Sequence, residues 1–340
     1  MNLPKPGSTP LAQMTSKLIN LATKDLSFKT AIVGSTSISA GFVLILYIFD
    51  KYKLSKQQRE FLNNDDISRI KSRTLAAVTA TVVSLSATSK LLGLNLFDQN
   101  DRLLYLKIIG LRPEFKNQMK SCFHSLALIG TLFLGPLLQI CLGNSSEGEG
   151  ASPFDHYFEN SLWVSFKNLV IAPITEETVY RACLVPLLYK FFSAKQLIYI
   201  TPIFFGTAHI HHLYHKIIVE KKPWMVSLLI TLFQFTYTTI FGSISTFLYL
   251  KTASLPAVAL IHSFCNLVSF PDFAGVAMEK NRLKKAILCV GYAGGLIGFF
   301  YACRNMIDSD SYFKVFRSDF YLIFKFIQKE PQIFHTASQI

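Results

Sequence analysis

Three charged side chains stand close together where the surrounding sequence is largely apolar. In Ile174-Thr175-Glu176-Glu177-Thr178-Val179-Tyr180-Arg181, two carboxylates and a guanidinium interrupt the run 169–192. A charge at bilayer depth costs about 2.5 to 3.5 kcal/mol on insertion scales, and such residues turn to the protein interior and mark function. Helical spacing separates their roles. Glu177 and Arg181 stand at i, i+4 and can pair on one face, while Glu176 projects about 100° away and is left for chemistry. The blander reading of the Glu177–Arg181 pair is a buried clamp between helices.

Two further polar groups lie downstream. Pro202-Ile203-Phe204-Phe205-Gly206-Thr207-Ala208-His209 is an apolar segment ending in a histidine, with His211, His212 and His215 beyond it. The cluster could also hold a metal, but the HxHHxxH pattern lacks the HExxH arrangement that sets two ligands and a base on one helix face, so zinc is open and unfavoured and no metal is assigned. In His262-Ser263-Phe264-Cys265-Asn266, His262 and Asn266 share a helix face, and both can donate hydrogen bonds. Two donors converging in a dry site are what an oxyanion needs, although each such pair also reads as an interhelical polar clamp. Together, the Glu, two His and Asn on three apolar segments fit one buried site. A glutamate beside a histidine would take a proton from water, while the second histidine and the asparagine hold the developing charge. That is the chemistry of a hydrolase acting on an acyl bond. Cys265 offers a thiol alternative, but apolar surroundings make a thiol a poor nucleophile.

The elements that must position these residues are membrane helices. Of 340 residues, 51% are hydrophobic, 14% aromatic and only 16% charged, with a mean hydropathy of +0.35, against a charged fraction of about 25% in soluble domains. Intrinsic disorder is excluded, and an ordinary cytosolic enzyme is disfavoured. Nearly uncharged runs recur at 31–49, 74–97, 121–143, 196–210, 223–250 and 286–303, and the runs 162–192 and 252–271 are broken by prolines and isolated charges. A hydrocarbon core of about 30 Å takes roughly 20 helical residues, so the chain reads as an all-α polytopic membrane protein of about eight transmembrane helices enclosing a buried polar active site. Residues 1–30 form a polar tail without a signal-peptide pattern, 31–303 the membrane-embedded domain with a catalytic core at 162–271, and 304–340 a second polar tail.

Between the runs, 51–73 is basic, 98–120 is mixed with room for an interfacial helix, and 143–160 is acidic. Counting spans puts the basic and acidic segments on the same side, against the positive-inside rule, which leaves absolute topology open. The Asn144-Ser145-Ser146 sequon abuts a span end and is read as unmodified. The net charge of +13 is assigned to loops, not to nucleic-acid binding, for no binding motif accompanies it. Six cysteines without metal-ligand spacing are read as small buried hydrophobes.

The ordered set EExxxR, FxxxH and HxxxN is met by Glu176-Glu177 with Arg181, Phe205 with His209, and His262 with Asn266. It resembles the type II CaaX prenyl endopeptidases, the Ras-converting-enzyme proteases of the CPBP intramembrane superfamily. The wording APITEE and FFGTAHIHH looks like the eukaryotic branch, and the resemblance covers 162–271. It implies removal of the last three residues from proteins whose C-terminal CaaX cysteine carries a farnesyl or geranylgeranyl group. Partners would be prenylated CaaX proteins such as small GTPases, together with membrane lipid, at the endoplasmic reticulum membrane with a site open to the cytosol. The resemblance also implies that Glu176 and His209 activate water, that His262 and Asn266 form the oxyanion site, and that Glu177, Arg181 and Phe205 support them, with no cofactor. Two other readings stay open. One is a non-catalytic membrane chaperone or scaffold of the same superfamily. The other is a transporter using its carboxylates as a proton relay, although matching halves with broken helices are not evident. The C-terminal Thr336-Ala337-Ser338-Gln339-Ile340 has no cysteine four from the end and does not read as a CaaX substrate itself.

Overall fold

Backbone amides in hydrocarbon find no water, so a spanning chain must satisfy them internally, and a helix does so within one segment. The computed structural model describes residues 26–53, 67–112, 114–144 and 162–308. These fold as helices, with no strand among the described residues. Most of both tails, and most of the acidic segment, lie outside the described residues.

Helices α1 (Phe28–Lys53) and α2 (Ile67–Leu91) pack against each other. Both bury small residues, among them Ser35, Ser39, Ala76 and Ala80, and small side chains let backbones approach where lipid offers no hydrophobic drive. Within 98–120 lies α3 (Gln99–Ile108), started by Asp98, whose carboxylate accepts from the amides of Asn100 and Asp101. Next, α4 (Phe115–Leu132) passes into α5 (Leu134–Cys141) through a bend of 73°. Pro136 accounts for the bend, because its ring lacks an N–H and collides with the carbonyl four residues back.

The central helix, α6, runs over 162–189 and changes pitch along its length. Its α-helical parts, Leu162–Phe166, Ala172–Glu177 and Leu184–Tyr189, alternate with π turns at Lys167–Ile171 and Thr178–Cys183. A π turn adds one residue, so the helix beyond it is rotated by about 100° relative to an unbroken α-helix. Every residue from Glu177 to Val185 is buried, which places this helix inside the bundle. Val179, Tyr180 and Leu184 pack with Ile38 and Phe42 of α1 and with Ala80 of α2.

After α6 come α7 (Ala194–Ala208), opened by a Ser193–Gln196 capping box, and α8 (His211–Tyr214), which continues as a π turn over His215–Val219. The last elements are α9 (Trp224–Thr252), α10 (Leu255–Val268), α11 (Phe273–Met278) and α12 (Arg282–Asp308). On its other side α6 packs Val185 and Leu188 with Leu248 of α9 and with Val258 and Ile261 of α10. Ala253, with φ 44°, turns the chain back from α9 so that the Leu255 amide donates to the Gly110 carbonyl at 3.1 Å. Gly110 has φ 79°, and a Cβ there would lie 2.7 Å from the Leu255 nitrogen, so only glycine fits.

All eight apolar runs are helical, with ends that differ from the sequence boundaries: α1 begins at Phe28, α2 at Ile67, and α12 spans Arg282–Asp308. By length and composition, α1, α2, α9 and α12 can each cross a membrane, and the bent pair α4–α5 would be a fifth span, against about eight expected. The remainder are shorter or interrupted. At 1.5 Å per residue, α7 and α10, with 15 and 14 residues, reach about 21 to 23 Å, less than the ~30 Å hydrocarbon core. These and α6 are the helices that carry the polar motifs. The described cysteines are all free. Cys122 and Cys183 are buried as expected, but Cys141 and Cys289 are exposed, on helix faces turned outward.

Candidate active site

Glu177 ends the central α-helical part of α6 and is wholly buried. Arg181, on the π turn after it, donates from Nη1 to Glu177 Oε1 at 3.1 Å, and its side chain is 1% exposed. His262 of α10 reaches the same oxygen through Nδ1 at 2.8 Å. An ionised carboxylate only accepts, so Nδ1 carries the hydrogen. Ser245 of α9 donates to Glu177 Oε2 at 2.6 Å. A carboxylate at this depth is tolerable because it is both paired and hydrogen-bonded.

The other ring nitrogen of His262 faces the second carboxylate, with Nε2 3.9 Å from Glu176 Oε2. Exposure separates the adjacent glutamates. Glu176 keeps 23% of its side chain exposed and Glu177 keeps none, so Glu176 is the carboxylate that can meet water and substrate.

His209 sits at the C-terminal cap of α7, where its Nδ1 lies 2.9 Å from the Phe205 carbonyl. A carbonyl cannot donate, so Nδ1 is the donor, and in the neutral ring Nε2 holds the lone pair. Phe205 is 2% exposed and stands among the motif residues. Its ring centroid is 5.0 Å from that of His209 and 6.2 Å from that of His262, and the Arg181 guanidinium carbon lies 4.7 Å from it. The last contact is a cation–π interaction in a desolvated setting. Phe241 of α9 covers His262 as well, with centroids 4.8 Å apart.

Asn266 and His262 both face α6, where the Asn266 amide donates to the Asn168 carbonyl at 2.9 Å and Ser263 donates to the Leu169 carbonyl at 2.5 Å. Both acceptors lie on the first π turn, so α10 is latched to the stretch of α6 whose ladder is widened. Of the histidines beyond His209, His212 lies with its ring 6.0 Å from that of His209, while His211 and His215 find other partners. His211 Nδ1 meets the Ala208 carbonyl, the His211 and His212 rings lie 4.0 Å apart, and His215 pairs with Glu220 at 3.1 Å. Among the described residues, no group of three or more His, Cys, Asp or Glu is placed to hold a metal. Beyond that helix end, Lys222 beside Glu220 holds its carboxyl below the usual carboxylate range. Cys265 packs against the main apolar cluster.

Sequence spacing did not point to Ser245 or Phe241. Each is one of many hydroxyl or aromatic residues on α9, and nothing in their pattern sets them apart.

Fold and site together define a polytopic α-helical membrane protein that holds a carboxylate–histidine cluster among its helices. Residues 158–268 match the family described as type II CAAX prenyl endopeptidase Rce1-like, a stretch that encloses Glu176 through Asn266. The chain is 29% identical over 250 residues to a probable CAAX prenyl protease 2 of Schizosaccharomyces pombe, covering 72% of this chain and 83% of that relative. It is 29% identical over 289 residues to the CAAX prenyl protease 2 of Homo sapiens, covering 83% and 82%, and 29% over 281 residues to that of Saccharomyces cerevisiae, covering 72% and 87%. No solved structure matches the chain. The chain is thus similar to the Rce1-like type II CAAX prenyl endopeptidases over the stretch that holds all three motifs.

Proposed function

We propose that this protein is an intramembrane endopeptidase that removes the C-terminal tripeptide from farnesylated or geranylgeranylated CaaX proteins. One observation carries the reading. A carboxylate open to solvent and a carboxylate sealed from it flank the same imidazole, at 3.9 Å and 2.8 Å. The names of the yeast and human relatives support the substrate class.

In this mechanism Glu176, assisted by the Nε2 lone pair of His209, takes a proton from water as its oxygen attacks the carbonyl of the prenylated cysteine. His262, donating from an Nε2–H while its Nδ1–H stays on Glu177, and the Asn266 amide stabilise the oxyanion that forms. Collapse of the tetrahedral species breaks the C–N bond, and the proton held at Glu176 passes to the leaving amine of the tripeptide. Glu177 and Arg181 keep His262 in place, and Phe205 sets the distance between the two histidines. The prenyl chain delivers its protein to the bilayer at about 0.8 kcal/mol per CH2 buried. CaaX proteins such as small GTPases are made in the cytosol, so the site is assigned an opening to the cytosol from the endoplasmic reticulum membrane.

The test is release of the tripeptide from a fluorogenic farnesylated CaaX peptide by purified protein in detergent, with and without a strong chelator. Wild type is expected to cleave in both conditions, and Glu176→Gln and His209→Ala to lose cleavage while remaining folded. Activity retained in Glu176→Gln would remove the mechanism. A folded wild type inactive on several prenylated peptides would favour a scaffold, and loss with chelator alone would mean a metal at the histidines.

A further inference from the structure

We infer that Ser245 is a positioning residue of the active site, holding the Glu177 carboxylate in the orientation that aims His262 at Glu176. The inference rests on the endopeptidase reading and adds a fourth helix, α9, to a site whose sequence motifs lie on α6, α7 and α10.

The first observation is how the hydroxyls of α9 are spent. A serine or threonine in a helix usually returns its hydrogen to the carbonyl four residues back. Thr231, Thr236, Thr238, Ser243 and Thr252 all do so. Thr246 meets the Thr201 hydroxyl of α7 at 2.9 Å, and Ser245 crosses to α6 and donates to a carboxylate 68 positions away in sequence, in a fully buried setting.

A second observation concerns the division of labour at Glu177. Oε1 already accepts from Arg181 Nη1 at 3.1 Å and from His262 Nδ1 at 2.8 Å, whereas Oε2 accepts from Ser245 at 2.6 Å. One oxygen therefore holds the guanidinium and the imidazole, and the other fixes the plane of the carboxylate. Rotation of that plane would carry Oε1, and the imidazole bonded to it, away from the present geometry.

The flanking residues of α9 serve the same placement. Phe241 covers the His262 ring, and its centroid is also 5.8 Å from the Arg181 guanidinium carbon. At Gly242 a Cβ would lie 3.2 Å from Arg181 Nη2 and 3.0 Å from Pro202, so the absence of a side chain lets the guanidinium lie against α9.

The experiment compares wild type, Glu176→Gln, Ser245→Ala and Ser245→Cys in the peptide assay, measuring kcat, KM, the pH dependence of kcat/KM and thermal unfolding. A hydrogen bond to a charged group is lost in Ser245→Ala, so kcat is expected to fall about tenfold with KM held within about twofold. A limb of the pH profile should move as the Glu177–His262 pair loses its orientation, and Ser245→Cys, which keeps the size and a weak donor, should recover part of the rate. Wild-type kcat and an unmoved profile in Ser245→Ala would overturn the inference while leaving the endopeptidase reading intact. If Ser245→Ala fails to fold, Ser245→Cys decides: folded with an unchanged rate and profile, it overturns the inference. A wild type that cleaves no prenylated peptide would sink both readings together.

Discussion

Glu177 and Glu176 are neighbours with opposite demands on their surroundings. Glu177 is sealed and answers Arg181, which is equally buried, so Glu177→Gln would leave a guanidinium in a dry interior without its hydrogen-bonded counter-charge. Breaking a buried pair from one side costs about 3 to 5 kcal/mol. Glu177→Gln is therefore expected to lower the unfolding temperature in detergent sharply, whereas Glu176→Gln, partly exposed and 3.9 Å from His262, should unfold close to wild type and lose only activity. Removing both charges, as Glu177→Gln with Arg181→Met, should recover part of the loss, and a cycle showing no coupling would contradict the assigned pair. This much of the site was legible, because i, i+4 spacing on a helix joins Glu177 to Arg181 whatever surrounds them. Ser245 was not, since a hydroxyl on an apolar helix can satisfy itself at home, and only tertiary packing decides that it crosses to another helix.

Among the elements, the bend between α4 and α5 depends on how closely α12 can approach it. A Cβ added at Gly295 would lie 2.6 Å from the Thr131 carbonyl oxygen, a backbone atom just before the bend, whereas at Gly294 it would meet nothing within 4 Å. The adjacent positions form a matched pair. Gly295→Ala should cost about 1 to 3 kcal/mol by overpacking. Gly294→Ala should be neutral or stabilise by up to about 1 kcal/mol through lower backbone entropy in the unfolded chain. Thermal unfolding of the two variants side by side checks this, and equal midpoints would mean that α12 does not seat there. Apolar runs announced every one of the long helices, because length and hydropathy suffice for that. The two π turns of α6 left no such trace: one inserted residue changes neither composition nor hydropathy, yet it aligns the Asn168 and Leu169 carbonyls with Asn266 and Ser263.

At the level of the whole molecule, the contacts sort the loops into two ends. Lys71 lies 5.1 Å from the Trp163 ring, and the Tyr47 and His211 rings are 5.6 Å apart, so the borders of the basic segment 51–73 and of the acidic segment 143–160 meet at one end. At the other, Lys190 donates to the Leu26 carbonyl at 3.2 Å. The described borders of both segments thus share one end, so segments of opposite charge attach there and charge cannot orient the chain. The chemistry can. His209 precedes His211 by two residues, and Asn266 lies two residues before the end of α10, so the site lies toward the end with His211 and Trp163. If substrate arrives from the cytosol, that end faces it. With the six native cysteines replaced, Lys222→Cys, beyond α8, should react with a membrane-impermeant maleimide in sealed microsomes, and Lys195→Cys, at the start of α7, only after permeabilisation. The reverse pattern in a variant that still cleaves prenylated peptide would place the site's open end in the lumen, and a prenylated protein anchored in the cytosolic leaflet would then have to reach it from within the bilayer.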